Sequence, residues 1–126
     1  MDTKNFTIKS QEAIQKAQEL AMIGQQQAIE TGHILKALFT VDEEVLSYAL
    51  KKVNANTQRI EQALDSILMS YPKVSGAGNQ YLSNVSQQTL VKANAYLKEF
   101  EDEFVTIEHI FLALTEGSDQ VANLLK

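Results

Sequence analysis

The chain repeats itself. Displaced by 76 positions, residues 6–50 lie over residues 82–126 without a gap, and nine pairs are identical: Ser10/Ser86, Gln11/Gln87, Lys16/Lys92, Ala17/Ala93, His33/His109, Ile34/Ile110, Ala37/Ala113, Leu38/Leu114 and Val45/Val121. Chance overlap of such compositions gives roughly 3 matches in 45, so the repeat is a structural statement. One small unit leaves its apolar face open, and docking two units closes one core. The duplication therefore predicts a pseudo-two-fold domain. Its boundaries are repeat one at about 6–70, a linker at about 71–82 and repeat two at about 83–126, within one domain over 1–126.

Each unit reads as helix. Breakers are scarce: one proline, Pro72, and five glycines in 126 residues. An all-β chain needs a turn every 8–12 residues and spends such residues on each. The first helix spans about Ile8 to Ile23 behind Thr7 as N-cap, with Ala13, Ile14, Ala17, Leu20 and Ala21 as its apolar stripe. Gly24 ends it and Gln25–Gln27 form a polar connector. A second helix follows Thr31. Asp42 caps a third, and Asn56 or Thr57 caps a fourth that Pro72 stops. Ser83 or Ser86 opens a fifth, Thr106 caps a sixth and Asp119 a seventh. The fold class expected is all-α, with seven to eight short helices that are marginal alone and stable only by mutual packing. Gly76-Ala77-Gly78 reads as a hinge between the halves.

Composition narrows the function. A 14.1 kDa chain without cysteine is no disulfide scaffold, zinc finger or thiol enzyme. A net charge of −5 argues against nucleic acid as partner, which demands a basic stripe. No apolar run approaches membrane-spanning length, and the N-terminus lacks a signal-peptide pattern, so the expected location is cytoplasmic. The charge is uneven. Residues 1–81 carry 8 basic and 9 acidic groups, whereas residues 82–126 carry 3 and 7. Glu99, Glu101, Asp102 and Glu103 cluster before the sixth helix, either as a solvated loop or as a contact surface for basic protein segments.

No catalytic set emerges. There is no Gly-x-Ser-x-Gly, no phosphate-binding loop and no metal-ligand spacing, so neither catalytic nor metal residues are assigned. His33 and His109 occupy equivalent first-turn positions. Each is expected to hydrogen-bond across its own repeat and fix helix packing. What remains is surface. A groove at the junction of the copies would involve Phe6, Thr7, Tyr81, Leu82, Ser83 and the 99–108 segment, and would suit weak binding of peptides.

The pattern resembles the N-terminal domain of the Clp family of AAA+ unfoldases. The residues that carry it are Phe6-Thr7, Ala13 to Ala21, Ile29-Glu30-Thr31-Gly32-His33-Ile34-Leu35, and Asp102-Glu103-Phe104-Val105-Thr106-Ile107-Glu108-His109-Ile110-Phe111-Leu112-Ala113-Leu114. The connector Tyr71 to Gly78 is similar to that of ClpB-type disaggregases, with the protease-partnered ClpA and ClpC branches as the alternative. The resemblance implies a non-catalytic domain that engages unfolded or aggregated polypeptides, or docks adaptor proteins. It implies no cofactor in this domain. ATP and magnesium would belong to modules outside it, in a hexamer, while the isolated domain would be monomeric. In ClpB-type domains a threonine before the first helix and two acidic residues flanking the sixth are implicated in substrate engagement. By motif these are Thr7, Asp102 and Glu108, with Phe6, Tyr81, Glu101 and Glu103 as neighbouring candidates. In the ClpC branch a glutamate precedes each repeat's histidine and serves phosphoarginine recognition. Here Glu108 precedes His109, but Gly32 precedes His33, which puts that activity in doubt.

Overall fold

A computed structural model describes residues 3–75 and 79–125. The proposed hinge at Gly76–Gly78 lies outside the described residues. The elements run α1 (Ile8–Ile23), β1 (Ala28–Ile29), α2 (Thr31–Val41), α3 (Glu43–Lys52), α4 (Thr57–Ser70), β2 (Tyr81–Leu82), α5 (Asn84–Glu99), α6 (Ile107–Thr115) and α7 (Gln120–Leu125). Seven helices among the described residues match the all-α expectation. The caps fall where small polar side chains can reach a free amide. Thr7, Asp42, Asn56, Ser83 and Thr106 each accept from the backbone N–H three residues on. Asp119 Oδ1 accepts from Ala122 N at 2.9 Å at the start of α7. Pro72 follows the end of α4, where it blocks a further turn.

One feature departs from the helical reading. Three residues of each half pair with the other half as extended chain. Ile29 bridges Leu82 and Ala28 bridges Tyr81 in a parallel two-stranded sheet. Phe6 bridges Val105 as an isolated parallel bridge. A shift of 76 carries Ile29 onto Val105 and Leu82 onto Phe6, so the two bridges are one interaction made twice. Runs this short carry no strand periodicity, which is why the sequence pattern does not reveal them.

The crossing continues into the caps. Val105 C=O accepts from Thr7 N at 3.0 Å and from the Ser10 hydroxyl at 2.9 Å. Its counterpart Ile29 C=O accepts from Ser83 N at 3.1 Å and from the Ser86 hydroxyl at 2.8 Å. Ser10 and Ser86 are both fully buried. A buried hydroxyl without a partner is costly, so each serine needs the opposite copy in place. The Thr31 hydroxyl also donates across the copies to Asp119 Oδ2 at 2.9 Å, and apolar packing surrounds these bonds. Ala13, Ala17 and Ala21 of α1 are buried, and α1 packs on α2 as α5 packs on α6. Ile34, Leu35, Leu38, Leu90, Ile110 and Val121 belong to one cluster that spans both copies. Phe6, expected at the binding groove, is 3% exposed and forms part of this core. Its aromatic ring is consumed by packing, which removes it from the accessible candidates.

Replacing Ser10 or Ser86 by alanine is expected to lower stability by about 1–2 kcal/mol each, because the bond to the opposite carbonyl and the bond from the Thr7 or Ser83 hydroxyl are both lost while the carbonyl keeps its amide partner. Urea denaturation of both single variants measures this. Wild-type midpoints for both would contradict a structural role for the crossed hydroxyls.

Candidate functional site

Both copies build the same turn after their first helix. Gln25 and Glu101 adopt φ values of 60° and 58°. The next amide, Gln26 N or Asp102 N, then reaches back to Ala21 O at 2.8 Å or Leu97 O at 2.9 Å. The left-handed residue turns the chain so that the side chain at 26 or 102 points at its own histidine. His33 Nε2 donates to Gln26 Oε1 at 3.2 Å, and His109 Nε2 donates to Asp102 Oδ2 at 2.9 Å. On the other ring edge, Nδ1 accepts from Glu30 N in one copy and Thr106 N in the other, both at 2.9 Å. An accepting Nδ1 assigns the proton of the neutral ring to Nε2. Each histidine thus ties the entry of its helix to the turn before it.

The environments then diverge. Burial pushes the His33 imidazole down from 6.5 to about 4. His33 also lies 5.2 Å from the Tyr71 ring, and the Tyr71 hydroxyl accepts from Gly32 N at 3.3 Å. Burial raises the Tyr71 hydroxyl to about 12, so it stays protonated. A Cβ at Gly32 would stand 2.6 Å from that hydroxyl oxygen. The space beside position 32, equivalent to Glu108, is therefore taken by a tyrosine from the end of α4, and a side chain there would require that ring to move. The first copy has glycine and not glutamate at this position.

In the second copy the same corner is open and acidic. A shallow depression of about 560 Å³ is lined by Thr7, Asp102, Glu103, Thr106, Glu108 and the ring of Phe104. Phe104 is 50% exposed, and His109 forms part of the floor. Among its described lining residues there are three carboxylates and no lysine or arginine. Glu108 sits in the first turn of α6, where the free amides of the helix favour a negative charge. The structure thus brings Thr7, Asp102, Glu103 and Glu108 together. Thr7 contributes position, because its hydroxyl both caps Ser10 N at 3.1 Å and donates to Ser10 Oγ at 2.9 Å. Glu101 shapes the turn and does not line the depression. Tyr81 lies elsewhere, in a separate groove of about 570 Å³ with Ile14, Leu82 and Val91 between α1 and α5. Sequence reasoning missed Gln26 and covered Phe104 only within the 99–108 segment, without singling it out. The displacement of 76 offers the signal for Gln26, since it falls on Asp102, seven residues before the histidine in each copy.

The family model for the Clp repeat (R) N-terminal domain matches residues 5–126. The chain belongs to this family. It is 46% identical over its whole length to a ClpB chaperone protein of Bacteroides thetaiotaomicron and 39% identical to that of Porphyromonas gingivalis. A ClpB chaperone protein of Bacillus anthracis is 30% identical over 98% of the chain. The chain spans about 14% of the length of the first two relatives. Among solved structures, the Hsp104 N-terminal domain from Candida albicans has a TM-score of 0.85 at 24% identity, over 96% of this chain and 79% of that one. The N-terminal domain of the ClpV1 ATPase from E. coli has a TM-score of 0.83 at 20% identity, over 98% of this chain and 78% of that one. These two share the fold.

The low His33 value has a sign. Between pH 6.5 and 4 the unfolded chain binds a proton at His33 that the folded chain refuses. This contribution to stability is complete above about pH 6.5 and is lost as acid is added, by up to about 3 kcal/mol. Urea denaturation across this range should therefore show a steeper acid loss for the wild type than for His33→Gln. Parallel pH profiles would contradict it.

Proposed function

We propose that the domain captures unfolded or aggregated polypeptide for a ClpB-type disaggregase. Asp102, Glu103 and Glu108 gathered around the exposed Phe104 ring carry this reading. Such a surface attracts segments that mix apolar and basic side chains, through contacts that do not depend on one sequence. The carboxylates speed encounter, and the ring and the half-exposed Phe100 supply apolar area. Binding is weak because the depression is shallow and most of its contacts remain wet.

The reading is supported by the identity to ClpB chaperone proteins along the whole chain. In it, the domain lacks a catalytic role and a cofactor of its own. ATP and magnesium are handled by modules outside these residues, in a cytoplasmic hexamer, and adaptor proteins are further partners of the same acidic face. No described helix is long and apolar enough to cross a membrane.

Amide NMR of the labelled domain with reduced, carboxymethylated casein tests the site. Shifts should centre on Thr7, Asp102, Phe104 and Glu108. The double substitution Asp102→Asn, Glu108→Gln removes charge with little change of shape, and it should weaken binding about tenfold at low salt. The same loss should appear in the wild type as salt is raised. Shifts restricted to the Tyr81 groove, with binding indifferent to salt and to the double substitution, would overturn the assignment.

A further inference from the structure

The two copies can be used to read one another. In the second copy Phe100 caps the end of α5 and lays its ring over the histidine. The ring lies 5.6 Å from Tyr96 and 6.3 Å from His109, nearly stacked on the imidazole at 18°. Shifted by 76, these three residues become Gly24, Leu20 and His33. Gly24 has no side chain to lay there. The structure has a cavity of about 250 Å³ bounded by those same three residues, with Leu68 of α4 as a further wall. Part of the space that an aromatic ring covers in one copy is open in the other, beside the Gln26 amide.

The glycine is not demanded by its backbone, which has φ −79°. A side chain there would instead displace the Gln26 amide. A Cβ at Gly24 would stand 2.1 Å from Gln26 Oε1, the atom that accepts from His33 Nε2. Asp102 is one methylene shorter and reaches its histidine while leaving room for Phe100. The longer glutamine, bonded to His33, places its amide where a side chain at position 24 would begin. Its lip is apolar and exposed, with Ile23 at 76% and Met69 at 83%. Lys73 also lines it and forms no salt bridge with a described residue.

We propose that this cavity receives one aromatic side chain of a partner polypeptide that carries a carboxylate beside the ring. The Phe100 arrangement specifies the ring, which would pack on Leu20 and Leu68 against the His33 edge. The Lys73 ammonium specifies the carboxylate. The site shares no residue with the acidic depression of the second copy and has the opposite charge preference. Its failure and the failure of the proposed client site are separately visible.

The probe is an acetylated, amidated hexapeptide of glycine and serine with a central phenylalanine–aspartate pair. It is titrated into the 15N-labelled chain. Amide shifts are expected at Ile23, Gly24, Met69 and Lys73, with a shift of the His33 ring protons. Alanine in place of the peptide phenylalanine should weaken binding about tenfold. Lys73→Glu should weaken the phenylalanine–aspartate peptide and favour a phenylalanine–lysine one. Met69→Gln, which takes apolar area from an exposed lip position that the core does not use and adds no charge, should weaken both peptides while leaving the denaturation midpoint unchanged. Three results would overturn the proposal: no shifts at millimolar peptide, shifts centred on Thr7, Asp102 and Glu108, or the same cavity residues shifting with protein concentration alone, which would make a second copy the occupant.

Discussion

Two carbonyls hold the domain together. Ile29 C=O and Val105 C=O each leave their own copy and are taken by the amide and buried serine hydroxyl that open the other copy's first helix. The buried serine hydroxyl gives its proton to that carbonyl, and both bonds to each carbonyl come from the other copy. Each copy therefore needs the other, which is a polar requirement laid over the usual apolar one. The following helix starts within two residues of each carbonyl, so the same contact sets where α2 and α6 begin. The positions of His33 and His109 follow from that.

On this shared frame the two copies differ where they meet solvent. The turn, the left-handed residue and the histidine bonds are common to both. The side chain that answers the histidine is an amide in one and a carboxylate in the other. Around the amide, Tyr71 closes one side and Gly24 leaves a small apolar cavity on the other. Around the carboxylate, Glu103, Phe104 and Glu108 form an open acidic corner, with Phe100 covering part of the space that stays open in the first copy. One scaffold, used twice, thus offers two surfaces of opposite preference.

Much of this was legible in the residues. Helix starts are written locally, since an N-cap side chain needs only an amide three residues away, and Thr7, Ser83 and Thr106 stand where the pattern places them. The repeat and the uneven charge are likewise properties of the chain as written. Burial is different. Phe6 carries the same ring wherever it lies, and only its bridge to Val105 places it in the core. Tyr81 falls into a groove of its own for the same reason, because β2 pairs with β1 and so lies away from the acidic corner.

By itself the sequence determined the helices, the duplication, the equivalent positions of both histidines and the acidic character of the second copy. These depend on near neighbours or on counting, and both survive without coordinates. Only the tertiary structure decided which carbonyls cross between copies, that Tyr71 closes the Gly32 position, and that a gap stays open beside Gly24. Those outcomes depend on residues tens of positions apart meeting within a few ångströms. No local pattern encodes that distance.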